Sequence, residues 1–147
     1  MKIYLDACCL NRLTDDQTQP RIAAEAEAVE QILRLLRTET IEWLSSAALK
    51  VETANNPNRE RRYEVEVLLA LATITIPLDR QIILRAKELE AVGYGAFDAL
   101  HLSSAEAGNA EVLLTTDDRF AKRAARAVGS PRVRVLNPVE WLRKLGV

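Results

Sequence analysis

No stretch of this sequence approaches the roughly 20 consecutive apolar residues needed to span a membrane. The opening residues, MKIYLDACC, meet an aspartate too soon to form the apolar core of a signal peptide. There is no excess of one charge either. Twenty basic residues stand against 21 acidic ones, a formal net charge of −1. The chain is therefore not a bulk polycation, and any nucleic acid must be held by local basic patches or through metal ions. Only two cysteines are present, Cys8 and Cys9, and they are adjacent. They cannot build a disulfide framework, and without CxxC or Cys/His spacing zinc is not expected. A reducing cytoplasm suits that content. No internal repeat, low-complexity tract or linker interrupts the chain. Its 147 residues, 48% hydrophobic and 28% charged, fit one domain over residues 1–147 with an ordinary core.

The hydrophobic pattern predicts strands alternating with helices. Ile3-Tyr4-Leu5 reads as a buried first strand that stops at Asp6. A polar loop from Thr14 to Gln19 leads to Pro20 and a helix starting at Arg21. Ile22, Ala26, Val29, Leu33 and Leu36 form its apolar stripe, and Arg21/Glu25 and Glu30/Arg34 are i,i+4 pairs on its wet face. Ile41–Leu44 is a second strand, with Ser45 or Ser46 capping the helix that carries Glu52. Asn55-Asn56-Pro57-Asn58 breaks the chain before a helix from about Arg59 to Ala72. Thr73–Ile76 reads as a strand. Asp79 caps the next helix, Gly93-Tyr94-Gly95 is a loop, and Asp98 opens a helix that Gly108 ends. Val112–Thr115 and Val133–Leu136 are further strands, separated by a helix over about Asp118–Val128. Pro138 starts a short terminal helix with Trp141, Leu142 and Leu145 on its apolar side. The expected architecture is a three-layer α/β sandwich around a parallel sheet of about five strands.

In such a sheet, ligands bind at the carboxyl edge of the strands. Asp6 and Asp117 directly follow strands, and Asp98 stands at a helix start. Glu52 lies about two turns into its helix, roughly 9 Å from the start by rise per residue. Each has an ordinary use: Asp98, Asp117 and Asp118 suit helix caps, Asp6 an Asx turn and Glu52 a solvated helix face. Together, four carboxylates distant in sequence point to one region. Their mutual repulsion calls for divalent cations, and an oxygen-only donor set favours Mg²⁺ or Mn²⁺.

These features in this order resemble the PIN-domain family over nearly the whole chain. They are the apolar strand ending in Asp6, Ser46 with Glu52 six residues on, and Asp98-Ala99-Leu100-His101 opening a helix. Thr115-Thr116-Asp117-Asp118-Arg119-Phe120 after a strand and a final strand leading to Pro138 complete the set. The resemblance implies a metal-dependent endoribonuclease with Asp6, Glu52, Asp98 and Asp117 as catalytic and metal-holding acids, Asp118 being the alternative to Asp117. It extends to the VapC toxins of type II toxin–antitoxin pairs, and so implies an RNA substrate, a small antitoxin partner and a homodimer. The alternative is a catalytically weak or inactive module on the same fold that binds RNA or protein. One departure stands out: Cys8 occupies a place where the family often has Ser, Thr or Asn, and a thiol is a weaker hydrogen-bond partner. Asn11 is a candidate to supply that contact or to cap a helix, and Arg12 is a candidate to touch the scissile strand. His101, three residues from Asp98, can face the same cleft, but its neighbours Leu100 and Leu102 favour a packed histidine. Arg59, Arg61 and Arg62 form one basic run and Lys122, Arg123 and Arg126 another, each readable as a solvated face or as phosphate contacts. Two enzyme and signalling alternatives fail on residue types: Cys8 replaces the second aspartate of a haloacid-dehalogenase-type phosphatase, and no lysine follows the late strand as a receiver domain requires.

Overall fold

The structure, a computed structural model, describes residues 1–38 and 40–146. Five parallel strands form one sheet: β1 (Lys2–Leu5), β2 (Glu42–Ser46), β3 (Ile74–Ile76), β4 (Val112–Leu114) and β5 (Arg134–Leu136), in the order β3-β2-β1-β4-β5. Ile3, Tyr4 and Leu5 on β1 and Val112, Leu113 and Leu114 on β4 are all fully buried, as expected for central strands covered by helices on both faces. The helices are α1 (Ala7–Asn11), α2 (Pro20–Leu36), α3 (Ala47–Ala54), α4 (Arg59–Leu69), α5 (Arg80–Ala91), α6 (Ala96–Ala107), α7 (Asp118–Ala125) and α8 (Pro138–Leu145). This is a three-layer α/β sandwich; α5 packs on α6 and α2 on α8. No helix among the described residues is long and apolar enough to cross a membrane.

The strand order decides where a site can form. From β1 the chain builds outward through β2 and β3, then returns to β4 on the other side of β1. The connections leaving β1 and β4 therefore diverge and open a crevice at the carboxyl edge between them. Leu5 pairs with Leu114, and the Asp6 amide donates to the Leu114 carbonyl at 2.9 Å, so the segments after both strands start level with each other.

Several boundaries differ from the sequence reading. β2 runs on through Ser45 and Ser46, because both are fully buried and paired with Thr75 and Ile76 on β3. Ser46 then caps α3, its hydroxyl accepting from the Leu49 amide at 3.0 Å. α7 ends at Ala125 rather than Val128: Ala127 takes a left-handed φ of 59°, which stops the helix before Gly129. Gly108 is the C-cap of α6 as expected, and its lack of a side chain matters there, since a Cβ would lie 2.8 Å from Leu44 Cδ1 on β2.

The buried face of α2 is the main correction. Besides Ala26 and Val29, it buries Glu25, Ala28 and Ile32, while Ile22, Leu33 and Leu36 are only partly covered. Glu25, read as a wet-face residue, is 1% exposed. Its carboxylate is tolerated there because Arg12 Nε donates to it at 2.9 Å, Arg21 Nε approaches at 3.4 Å and the Asn137 amide also donates to it.

Candidate active site

The crevice at the switch point is a cleft of about 240 Å³ lined by Asp6, Ala7, Cys8, Asn11, Glu52, Thr53, Asn56, Asp98 and Asp117. The acids come from four places: the end of β1, the second turn of α3, the first turn of α6 and the residue after the β4 turn.

Asp6 occupies the N-cap position of α1, yet its side chain makes no cap hydrogen bond. Its carboxylate is only 5% exposed and accepts from Thr115 Oγ1 at 2.9 Å. Burial pushes the Asp6 carboxyl up; His101 opposes this, Glu52 adds to it, and the Thr115 and Cys8 hydrogen bonds lower it. Asp98 is the third residue of α6, whose N-cap is Gly95 with no side-chain cap bond. Capping therefore does not account for Asp98. Burial first, then the charges of Asp6 and Asp117, push its carboxyl up to about 7.

Asp117 does cap α7: Oδ1 accepts from the Arg119 and Phe120 amides at 3.0 and 3.3 Å. The same side chain lines the cleft, so capping orients it there. Asp118 is committed elsewhere, its two oxygens each 2.8 Å from the Arg21 guanidinium. That contact lowers the Asp118 carboxyl below its usual range.

His101 holds a larger part in the cluster than the sequence suggested. It is fully buried, as a packed histidine should be, but both ring nitrogens are engaged. Nδ1 lies 2.7 Å from the Tyr4 hydroxyl, Nε2 lies 3.1 Å from Glu52 Oε1 and 3.6 Å from Asp6 Oδ1. Burial disfavours its cation, but the Glu52 hydrogen bond and the charges of Asp6, Glu52 and Asp98 outweigh this and raise its pKa. The signal for this placement was its i+3 spacing from Asp98. Asp6, Glu52 and His101 offer ligand atoms that all lie within 4.8 Å of one another.

Thr115, unnoticed in the sequence beyond its place in the motif, joins the two central strand ends. Its hydroxyl donates to Asp6 and accepts from the Asp117 amide at 3.1 Å. Cys8 Sγ lies 3.3 Å from Thr115 Oγ1 and accepts from the Thr116 amide at 3.3 Å. Since the Thr115 proton goes to Asp6, the thiol is the donor in its own contact with Thr115. The polar support expected of Asn11 at Asp6 thus comes from Thr115. Asn11 is the last residue of α1 and lines the cleft. Arg12 is turned away from the expected role: its guanidinium is spent on Asp15 at 2.7 Å and Glu25 at 2.9 Å. Arg61 is likewise paired with Asp15, and Arg62 approaches Glu66 at 3.9 Å.

The family pattern described as the PIN domain matches residues 3–126. No curated protein sequence matches the chain. Among solved structures, the chain is similar to VapBC2 from Rickettsia felis bound to a DNA fragment from its promoter. Identity is 17%, the match covers 93% of this chain and 98% of that one, and the TM-score is 0.63. VapBC-1 from nontypeable Haemophilus influenzae is 19% identical over 94% of this chain and 98% of that one, with a TM-score of 0.58. VapC20 of Mycobacterium tuberculosis, a sarcin–ricin loop cleaving toxin, is 14% identical over 88% and 98%, also with a TM-score of 0.58. At these identities the likeness is one of fold.

Proposed function

Because the chain belongs to the PIN-domain family, we propose that it is a divalent-metal-dependent endoribonuclease, the toxin of a type II toxin–antitoxin pair, and that it hydrolyses RNA phosphodiesters at the carboxylate cleft. The observation that carries this reading is the convergence of Asp6, Glu52, Asp98 and Asp117, from four separate elements, on one cleft.

The residues fit a hard divalent cation. Asp98 is raised to about 7 by burial and by its acidic neighbours, a cost that a bound dication removes. Four carboxylates form an oxygen-rich donor set suited to Mg²⁺ or Mn²⁺. Thr53 Oγ1, buried behind the cleft wall, has no hydrogen-bond partner among the described residues. Asp6 and Asp98 are the first choice as metal-holding groups, with Asp117 and Glu52 completing the set. A bound ion supplies Lewis acidity toward the phosphate and an activated water at neutral pH.

The protein's own contribution is orientation. Thr115 holds one oxygen of Asp6, leaving the other toward the cleft. The α7 amides fix Asp117 through Oδ1. His101 fixes Glu52 through Nε2 while Tyr4 anchors the far edge of the imidazole. Asn11, on the cleft wall, is the candidate contact for the substrate strand.

The VapBC neighbours support a small antitoxin as partner, and basic antitoxin side chains would find the acids ready. A homodimer accords with the exposed apolar residues Tyr63, Val67 and Leu71, spaced along one face of α4 and the turn after it. The toxin reading puts its site of action in the cytoplasm.

The test is incubation of purified protein with structured and single-stranded RNA, with Mn²⁺ and with chelator. Cleavage only with metal supports the nuclease. Binding without cleavage in either condition supports an inactive module on the same fold.

A further inference from the structure

The two basic runs of the sequence have different fates in the fold. Arg61 and Arg62 are spent on acids and carbonyls beside the cleft: Arg61 on Asp15, Thr14 and the Asn11 carbonyl, Arg62 on Glu66 and the Asn56 carbonyl. On α7, by contrast, Arg119, Lys122, Arg123 and Arg126 have no carboxylate within salt-bridge distance among the described residues. Their spacing of three, four and seven puts them on one helix face. The opposite face, Phe120 and Ala124, is buried. The four cations and Val128 line a shallow depression of about 300 Å³.

Three features argue against a merely solvated face. Arg119 lies in the first turn of α7, where the helix dipole opposes a cation, so helix stability does not explain it. Asp118, the acid that would otherwise attract these cations, is taken by Arg21. Arg123 is held in place, its guanidinium carbon 5.8 Å from the centre of the Tyr94 ring, whose hydroxyl is in turn tied to the Val128 carbonyl at 2.7 Å.

The row also has a direction. α7 is capped by Asp117, a wall of the acidic cleft, and the Gly93–Gly95 loop beside Arg123 leads into α6 and Asp98. The seven-residue step from Arg119 to Arg126, the C-cap of α7, extends it about 10 Å from the cleft. On the other flank Arg61 and Arg62 are engaged and Arg59 alone has no carboxylate within salt-bridge distance among the described residues, so of the two runs only the one on α7 leaves a row of unpaired cations.

We propose that Arg119, Lys122, Arg123 and Arg126 form a phosphate track that leads the backbone of a single-stranded RNA along α7 into the acidic cleft. The inference rests on the nuclease reading above and extends it to the path of the substrate.

The test compares wild type with two variants that each remove three exposed cations. One is the track variant, Arg119→Gln with Lys122→Gln and Arg126→Gln, which leaves Arg123 on Tyr94. The other is a control, Arg34→Gln with Arg37→Gln and Arg134→Gln, from the amino-terminal edge of the sheet. The probe is a short fluorescent single-stranded RNA of mixed sequence, with DNA of the same sequence in parallel. Affinity is measured in chelator over a range of salt, and cleavage is followed with Mn²⁺. For the track variant we expect weaker binding, a log–log salt dependence shallower by about two units as three phosphate contacts are lost, and a loss of cleavage that sits in KM. The control should keep the wild-type slope and KM. A track variant that matches the control overturns the track while wild-type cleavage keeps the nuclease reading. Binding that depends on the track without any cleavage keeps the track and sinks the nuclease. A wild type that neither binds nor cuts the probe overturns both.

Discussion

Tyr4 on β1 and His101 on α6 are joined by a 2.7 Å contact between the phenol oxygen and Nδ1, and this contact decides which edge of the imidazole faces the acids. The Tyr4 hydroxyl also meets Ser46 Oγ at 2.6 Å, and burial drives its pKa well above the usual value, so it stays protonated. A chain from Ser46 through Tyr4 and His101 to Glu52 therefore crosses the core from β2 to the cleft.

Tyr4→Phe keeps the ring and removes the link. It leaves His101 Nδ1 without its partner inside a buried pocket. The expected cost is about 1–3 kcal/mol in urea unfolding, with a fall in nuclease activity as Glu52 loses its orientation. A variant as stable and as active as wild type contradicts this account of His101.

Thr115 is the second positioning residue. Thr115→Val conserves shape but deprives Asp6 and the Asp117 amide of their shared hydroxyl. A hydrogen bond to a charged group contributes about 1.5–3 kcal/mol, so cleavage should fall by an order of tenfold or more. Thr115→Ser should restore most of it. Equal loss in both variants would mean that packing, not the hydroxyl, matters.

The metal-free cleft should make stability depend on pH in a definite direction. Asp6, Asp98 and His101 all have raised pKa values, so the folded state binds more protons than the unfolded one. Stability in chelator should fall as pH rises from about 4 to 7, through the interval between the ordinary carboxylate value and the value of about 7 at Asp98. Asp98→Asn should flatten this slope and stabilise the metal-free protein near pH 8. The gain is of order 1 kcal/mol, because water screens a partly exposed group. Mn²⁺ should raise the wild-type melting temperature by mass action and the variant's by less. A destabilised Asp98→Asn that responds to Mn²⁺ like wild type would assign Asp98 to structure alone.

Local pattern carried the sheet well. Apolar runs such as Ile3–Leu5 mark strands, and Asp6, Asp98 and Asp117 can be placed at strand ends or helix starts from neighbouring residues alone. What was hidden is set by partners far along the chain. Glu25 falls on the polar side of a simple helical count, yet it is buried because Arg12, Arg21 and Asn137 close over it. Asp118 reads as an equal of Asp117 until Arg21, 97 residues away in sequence, is seen gripping it. Arg12 reads as free for substrate until Asp15 and Glu25 are placed beside it.

These two acids should differ when changed. Glu25→Ala removes a buried carboxylate that serves two arginines and an amide, and should cost about 2 kcal/mol. Asp118→Asn breaks an exposed pair and should cost less than about 1 kcal/mol. Chemical unfolding of both variants at neutral pH checks the contrast, and equal losses would contradict the assigned burial of Glu25.

The central claim is that the acidic cleft cleaves RNA through a divalent metal, and Asp6→Asn tests it most directly. The side chain keeps its size and lies at a strand end, so the variant should fold. Cleavage of a defined RNA by wild type and Asp6→Asn is measured with Mn²⁺ and with chelator, alongside circular dichroism to verify the fold. The account predicts cleavage by wild type with Mn²⁺ only and none by the folded variant in either condition. Full activity in a pure, folded Asp6→Asn sample, or wild-type cleavage that persists in chelator, would contradict it.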